Sequence, residues 1–171
     1  NRPGVQVHVR VGYYAVTETG TAPQLTARRL ADVIRSPLDA SDLTFDIQAE
    51  SVGAAGERQL KLEITFDPTQ LHFQQQSDRW TDNITKVWAE FGPDGREISQ
   101  HSQTLNLTPP LADYQQFREK PFTYSETVTI SRSADRLRIV LRDENTGALG
   151  SVTIPLNKLF PGGPEQARPR N

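Results

Sequence analysis

The feature that most constrains the fold is a predicted β-hairpin at residues 136–156, RLRIVLRDENTGALGSVTIPL. Leu137, Ile139 and Leu141 alternate with Arg136, Arg138 and Arg142 on the first strand, interrupted only by the apolar residue at 140. An apolar residue recurs at every second position from 152 to 156 on the return strand. The segment DENTG between them has the composition of a turn. The pattern therefore predicts a half-buried antiparallel pair in a domain built from strands.

Similar alternation recurs along the rest of the chain and predicts a sandwich. Two segments with strong period-2 patterns, residues 43–50 and 60–66, are separated by a glycine-rich turn. Weaker patterns predict strands at 84–91 and 126–131, and an edge or irregular strand at 98–107. Short helices are predicted at 24–35 and 111–120, both bounded by prolines. Many short strands with few helices indicate an all-β fold, an immunoglobulin-like antiparallel β-sandwich with one or two short helices.

Composition excludes several classes of function. The 171 residues suffice for one buried core, and a net charge of -2 gives no general attraction to nucleic acid, which is not an expected partner. The chain has no Cys, so thiolate metal sites and cysteine nucleophiles are excluded. No apolar run approaches the length of a membrane span, so no transmembrane segment is expected. Because Met is also absent, we expect the chain to be a processed product or a fragment of a longer precursor.

Three segments occur in a recognisable order along the chain: residues 2–15, residues 34–50 with the sequence IRSPLDASDLTFDIQAE, and the hairpin at 137–156. Together they resemble the von Willebrand factor A-related family first recognised in acidobacterial proteins. Residues 2–15, RPGVQVHVRVGYYA, resemble the end of the family's A-type domain, and residues 34–50 resemble the start of the domain that follows it. Residues 137–156 resemble the last hairpin of that second domain. The resemblance implies a strand from an upstream A-type domain at 1–15 and a β-sandwich domain at 41–160. Residue pattern and composition predict a linker with a short helix at 16–40 and a flexible tail at 161–171. It also implies an exported bacterial protein, located in the periplasm, at the cell surface or outside the cell.

The N-terminal strand is predicted to lack its home sheet. Val5, Val7, Val9 and Val11 alternate with polar residues, but the body of an A-type domain is missing, and so is the Asp-x-Ser-x-Ser loop of its adhesion site. We therefore carry no metal ligand over from that family. A strand of this quality must pair with its own sandwich, with another subunit or with the upstream domain, which makes these valines candidate partner-binding residues.

No residue pattern predicts catalysis or a cofactor. His8, His72 and His101 lie far apart in sequence, without the spacing of metal ligands, and no Gly-x-Ser-x-Gly motif is present. Asp143 and Glu144 form a visible acidic pair of the kind used in glycoside hydrolysis. Their place in a hairpin loop favours a structural role, with Asp143 bonding its own backbone and Asn145 or Gly147 at positive φ, as with Asp94 in the GPDG turn. We expect no enzyme, no metal and no cofactor.

Two groups of side chains are candidates for recognition. If Val87, Ala89 and Phe91 face the core, Trp88 points the other way, where it either contacts a ligand or is covered by the helix predicted at 111–120. Trp80 is a second candidate for contacting a sugar. A basic stripe is predicted on one face of the hairpin, as a solvated face or as a surface for an acidic protein, and its members are Arg136, Arg138 and Arg142.

The sequence therefore favours a non-catalytic protein-interaction or structural module. Its expected partners are proteins, up to and including a larger membrane-associated complex in which the chain would be a peripheral accessory subunit. In this hypothesis the N-terminal strand and exposed strand edges supply main-chain pairing, while Trp88 and the arginines supply side-chain contacts. The alternative hypothesis is a carbohydrate-binding module that stacks sugars on Trp80 or Trp88.

Overall fold

The computed structural model describes residues 22–54 and 56–161, with the side chains of residues 22–27 excepted. Eight strands and two α-helices make up this part of the chain. A single-turn 3-10 helix at Pro68–Gln70 follows the second strand. The helices are α1 (Ala22–Arg35) and α2 (Tyr114–Arg118), and the strands are β1 (Phe45–Val52), β2 (Gln59–Phe66), β3 (Gln74–Gln76), β4 (Arg79–Phe91), β5 (Glu97–Leu107), β6 (Phe122–Thr129), β7 (Arg136–Asp143) and β8 (Leu149–Pro155).

The strands form two antiparallel sheets that pack as a sandwich. The first sheet has three strands in the order β1, β2, β6. The second has five strands, in which β4 pairs with β5 on one side and β7 on the other, β7 pairs with β8, and β3 extends β4 near its start. Apolar side chains from both sheets interdigitate in one buried cluster, including Leu62, Ile64, Leu137, Ile139 and Ile154. Burial of this shared face is the main source of stability for such a fold.

Helix α1 covers the opposite face of the five-stranded sheet and creates a second, smaller core. Ile34 of α1 is buried against Phe91, Val140 and Leu149, and Leu30 and Val33 of the same helix pack at the margin. These three residues recur at the spacing that places them on one face of a helix. Because one face of the five-stranded sheet meets the other sheet and the other meets α1, its central strands are buried on both sides.

The connection from α1 to β1 packs against the first part of the β8 edge. Leu43 donates its N–H to the carbonyl of Leu149, and Ser151 donates its N–H to the carbonyl of Ala40. A Cβ at Gly150 would lie 1.9 Å from the carbonyl oxygen of Leu43, so only glycine lets this segment approach so closely. The outer edge of β8 is therefore covered from Leu149 to Ser151 by the chain itself.

Most of the predicted elements are confirmed, with corrections. The hairpin at 136–156 is β7 and β8, but it is fully buried over most of its length rather than half-buried. The predicted edge strand is β5, and α2 is five residues long where ten were predicted. Strand β4 buries Val87, Ala89 and Phe91 as predicted, on the face of the strand away from Trp88. That face meets α1, however, and not the core between the sheets. The predicted strand containing Val5, Val7, Val9 and Val11 lies outside the described residues.

Candidate interaction surface

Among the strands that the structure describes, β5 has a long edge that faces no other strand. It has 11 residues, and from Ser99 to Leu107 it pairs with β4 in unbroken register. Within residues 22–54 and 56–161 no segment pairs with its other side. Since alternate residues of an edge strand point their N–H and C=O groups outward, about half of the main-chain groups of β5 are available to another strand.

The middle of this edge is exposed and nearly uncharged. Side chains 100–104 are all exposed, and Glu97 is the only acidic or basic residue of the strand apart from His101. The strand contains no Lys, no Arg and no Pro, which are the residues that natural edge strands use to block pairing. Its only register shift lies at the Glu97 end, opposite Glu90 and Phe91.

The other sheet edges in the described part of the chain are protected. The outer edge of β8 is covered by residues 40–43 from Leu149 to Ser151, and the strand ends at a proline, Pro155, which has no N–H to offer a partner. Strand β1 carries Asp46 and Glu50 as exposed charges, and β6 points Glu126 inward, where it forms an ion pair with Lys86. Exposed charges and inward-pointing charges both discourage edge-to-edge association. Strand β3 is only three residues long, and short edge strands also resist pairing. Strand β5 is the long edge without such a device.

Aromatic and charged side chains support β5 from its inner face. The Trp88 indole stacks on the imidazole of His101 with ring centroids 5.0 Å apart, and these residues are directly opposite each other in the β4–β5 ladder. Lys86, only 1% exposed, lies beside the rings of Trp88 and Tyr124 and pairs with Glu126. Burial lowers the pKa of Lys86, and its partner Glu126 opposes that effect. This cluster fixes the inner face of β5 and connects it to β6.

The predicted location of Trp88 is therefore corrected. It points toward the three-stranded sheet and packs at the margin of the main core, so neither helix covers it. Helix α2 instead covers Trp80, whose ring stacks on Tyr114 at a centroid distance of 4.2 Å. The sequence could not distinguish the two faces of β4, because both carry residues that can be buried.

The predicted arginine stripe is not a continuous exposed surface. Arg138 is 2% exposed and lies under the C-terminal end of α1, where it pairs with Asp39 and donates hydrogen bonds to the carbonyl oxygens of Val33 and Leu38. Arg142 is half-buried and pairs with Glu144 at 3.2 Å. The expectation of an exposed Arg138 is wrong because the face it occupies is the one that α1 covers.

Arg136, the remaining member of the stripe, is partly buried. Its guanidinium lies 5.2 Å from the centre of the Phe91 ring. This is the distance of a cation–π contact, so the side chain is engaged within its own domain.

The acidic hairpin loop has the structural role predicted from its sequence. The Oδ1 atom of Asp143 accepts hydrogen bonds from the N–H groups of Asn145 and Thr146, at 2.8 and 3.0 Å. Gly147 has a φ of 74°. In the GPDG turn, Asp94 accepts from the N–H of Arg96 at 3.1 Å. Through these hydrogen bonds, the carboxylates of Asp143 and Asp94 pair with backbone N–H groups of their own turns, which is a structural role.

The hairpin loop also buries a second carboxylate that the sequence did not indicate. Asp82, 1% exposed, accepts hydrogen bonds through Oδ1 from the N–H of Asn83 and from Nδ2 of Asn145. Its Oδ2 is buried without a hydrogen-bond partner in the described part of the structure. Burial, and then the nearby charge of Asp143, raise the pKa of Asp82 to about 6. Nothing in the local sequence indicates that Asp82 lies beside Asp143 and Asn145, because this contact depends on how the hairpin loop folds back over β4.

The described residues show no metal centre and no membrane-spanning helix. No group of three or more His, Asp or Glu side chains within them is arranged to hold a metal ion. The Nδ1 atom of His72 lies 3.7 Å from a carboxylate oxygen of Asp143, and the ring of His101 stacks on Trp88. His8 is outside the described residues. Neither α1 nor α2 combines the length and apolarity that crossing a bilayer requires.

Comparison with known proteins gives little information on function. No protein-family model and no curated protein matches the chain. Among solved structures, it is similar to the X-ray structure of the Northeast Structural Genomics Consortium target SoR45, with 10% identity and a TM-score of 0.37. The similarity covers 67% of this chain and 83% of that one.

Proposed function

We propose that this chain is a non-catalytic protein-interaction module that binds another polypeptide by strand addition at the outer edge of β5. The observation that carries the proposal is the difference between β5 and the other sheet edges. Those edges are covered, charged or very short, whereas β5 offers a long, regular, exposed and nearly neutral edge. Main-chain hydrogen bonds along such an edge provide affinity in many peptide-recognition domains.

The residues around β5 hold its edge in the conformation that a partner strand would bind. Because Trp88, His101 and the Lys86–Glu126 pair support the inner face of β5, the strand is held in an extended form before any partner arrives. A rigid edge loses little conformational entropy when it is paired. The resemblance of residues 2–15, 34–50 and 137–156 to an exported family supports a role in the bacterial cell envelope, as an accessory subunit.

Carbohydrate binding through tryptophan is less well supported. Sugar stacking requires an open indole face, and Trp80 stacks on Tyr114 while Trp88 contacts both His101 and Lys86. These contacts occupy the surfaces that a sugar would use. The strand edge is therefore the better candidate.

Site-specific cross-linking tests the proposal. Because the chain has no native Cys, a single introduced Cys is the only position that a maleimide labels. We would label Ser102→Cys on β5 with a photoreactive maleimide, and use Gln48→Cys on the charged edge strand β1 as the matched control. Both positions are exposed. After illumination in a cell-envelope fraction, mass spectrometry should find one defined polypeptide attached at residue 102 through an extended segment. Equal labelling from both positions, or none from residue 102, would count against strand addition at β5.

A further inference from the structure

We propose that the strand added to β5 is β5 of a second copy of this chain, arranged antiparallel about a two-fold axis at Ser102. This inference rests on the proposed function and names its partner. In that register Ser102 lies opposite itself, Gln100 lies opposite Thr104, and His101 lies opposite Gln103. The two five-stranded sheets would then join into one continuous sheet.

The side chains of β5 are compatible with this self-pairing. The only carboxylate of the strand, Glu97, lies beyond the register shift, on the face that carries α1 and 4.0 Å from Arg35. The segment that pairs about the axis, from Ser99 to Leu105, contains no Asp, Glu, Lys or Arg. No two like charges meet across the axis, although like charges on opposite strands are what usually prevents edge pairing. The remaining opposed residues carry hydroxyl, amide and imidazole groups that can hydrogen-bond to one another, or are apolar.

The register also keeps each face of the sheet consistent. Pairing about an axis perpendicular to the sheet places even-numbered residues of β5 beside even-numbered residues of the partner strand. Gln100, Ser102 and Thr104 share the face that carries α1 in each copy, and Ser99, His101 and Gln103 share the face directed at the three-stranded sheet. The added strand therefore continues both layers of the sandwich.

The chemistry of β5 argues for a second copy rather than for the predicted strand at residues 5–11. That strand would place Val5, Val7, Val9 or Val11 beside the polar side chains at the centre of β5. The cross-strand pairs that stabilise a sheet are aromatic or β-branched pairs, hydroxyl pairs and opposite charges, and a valine beside Gln or Ser forms none of these. Because the proposed interface consists mainly of main-chain and polar contacts, we expect a dimer that dissociates on dilution.

Paired charge substitutions on the exposed face of β5 test both the partner and the register. Gln100→Lys with Thr104→Lys places two lysine pairs across the axis, whereas Gln100→Lys with Thr104→Glu places two opposite-charge pairs at the same sites. Both positions are exposed, and both lie opposite uncharged residues of β4, Ala89 and Thr85. The two variants therefore differ only in the sign of charge at residue 104.

Sedimentation velocity of the full chain over a wide concentration range gives the readout. The wild-type chain should dimerise reversibly, the Lys/Lys variant should dimerise about tenfold more weakly or not at all, and the Lys/Glu variant should dimerise as well as wild type. A wild-type chain that stays monomeric at millimolar concentration would overturn the inference, as would two variants that behave alike. Circular dichroism of each variant confirms that the sandwich is intact.

The cross-linking experiment separates failure of this inference from failure of the proposed function. If the wild-type chain is monomeric but labelled Ser102→Cys still captures a different polypeptide, self-pairing is wrong and strand addition at β5 stands. If neither association is observed, both proposals fail. An unlabelled Ser102→Cys chain that oxidises to a covalent dimer faster than Gln48→Cys would support the two-fold axis directly, since residues opposite each other in an antiparallel pair approach disulfide distance.

Discussion

Replacing Asp82 by asparagine removes a buried carboxylate that the fold holds at a cost. Asp82 is 1% exposed, and only its Oδ1 atom receives hydrogen bonds, from Asn83 and Asn145. Oδ2 is buried without a donor in the described residues. Asparagine keeps the shape and the acceptor at Oδ1, and it places an amide where the unsatisfied oxygen was. We therefore expect Asp82→Asn to stabilise the protein at neutral pH.

The magnitude follows from the raised pKa of Asp82. Its ordinary value is 3.8, and in the folded chain it is about 6, because burial and the charge of Asp143 disfavour the ionised form. A difference of about two pKa units corresponds to about 3 kcal/mol of unfolding free energy. The folded state holds this proton more tightly than the unfolded state, so stability falls as pH rises from about 4 to about 6 and then levels off. The variant lacks this loss.

Chemical denaturation followed by tryptophan fluorescence measures the effect at pH 4, 5, 6 and 7.5. The variant should be similar in stability to wild type at pH 4, and its advantage should grow to between about 1 and about 3 kcal/mol at pH 7.5. Asp94→Asn, in an exposed turn, controls for loss of a carboxylate elsewhere. A difference between Asp82→Asn and wild type that is constant with pH, or a variant less stable at pH 7.5, would refute the reasoning.

Three further predictions concern the packing of the sandwich, and equilibrium unfolding measures each. Arg138→Met should cost about 3–5 kcal/mol, because it leaves Asp39 without its partner and removes the bonds that fasten the end of α1; Arg138→Lys should recover only part of that stability. Gly150→Ala should destabilise by more than about 2 kcal/mol because the methyl group meets the Leu43 carbonyl, whereas Gly147→Ala, in open space at positive φ, should cost about 1 kcal/mol. Lys86→Met should cost about 3 kcal/mol and be largely rescued by adding Glu126→Met, so equal costs for the single and double variants would contradict a coupled pair.

The sequence was sufficient to predict the strands but not the environments of their faces. Alternation at 136–156 located β7 and β8 and identified the loop bonds of Asp143, because turn chemistry is local. It did not reveal that the arginine face of β7 is covered. Whether Arg138 is exposed depends on where α1 packs, and that is a contact between residues about a hundred positions apart.

The buried polar groups were hidden for the same reason. Lys86 and Asp82 look like solvent-facing residues of an alternating strand, and no neighbour in sequence indicates a partner. Their partners, Glu126 and Asn145, arrive from distant strands and loops. A single sequence records residue types and local periodicity, whereas the pairing of two buried charges is set by the topology of the sheets.

The contrast between β6 and β5 links these buried charges to function. Glu126 points inward from an edge strand, and burying it is tolerable only because Lys86 reaches it from the neighbouring sheet. The edge of β6 is therefore protected by an ion pair that is costly to bury. Strand β5 contacts β6 through the hydrogen bond from Tyr124 to Gln103, yet it carries no charge in its middle. If β5 were left unpaired in the working protein, the same protection would serve it equally well. Its absence there is the reason to expect that β5 is paired when the protein functions, and that adding charge to β5 will change association without changing the fold.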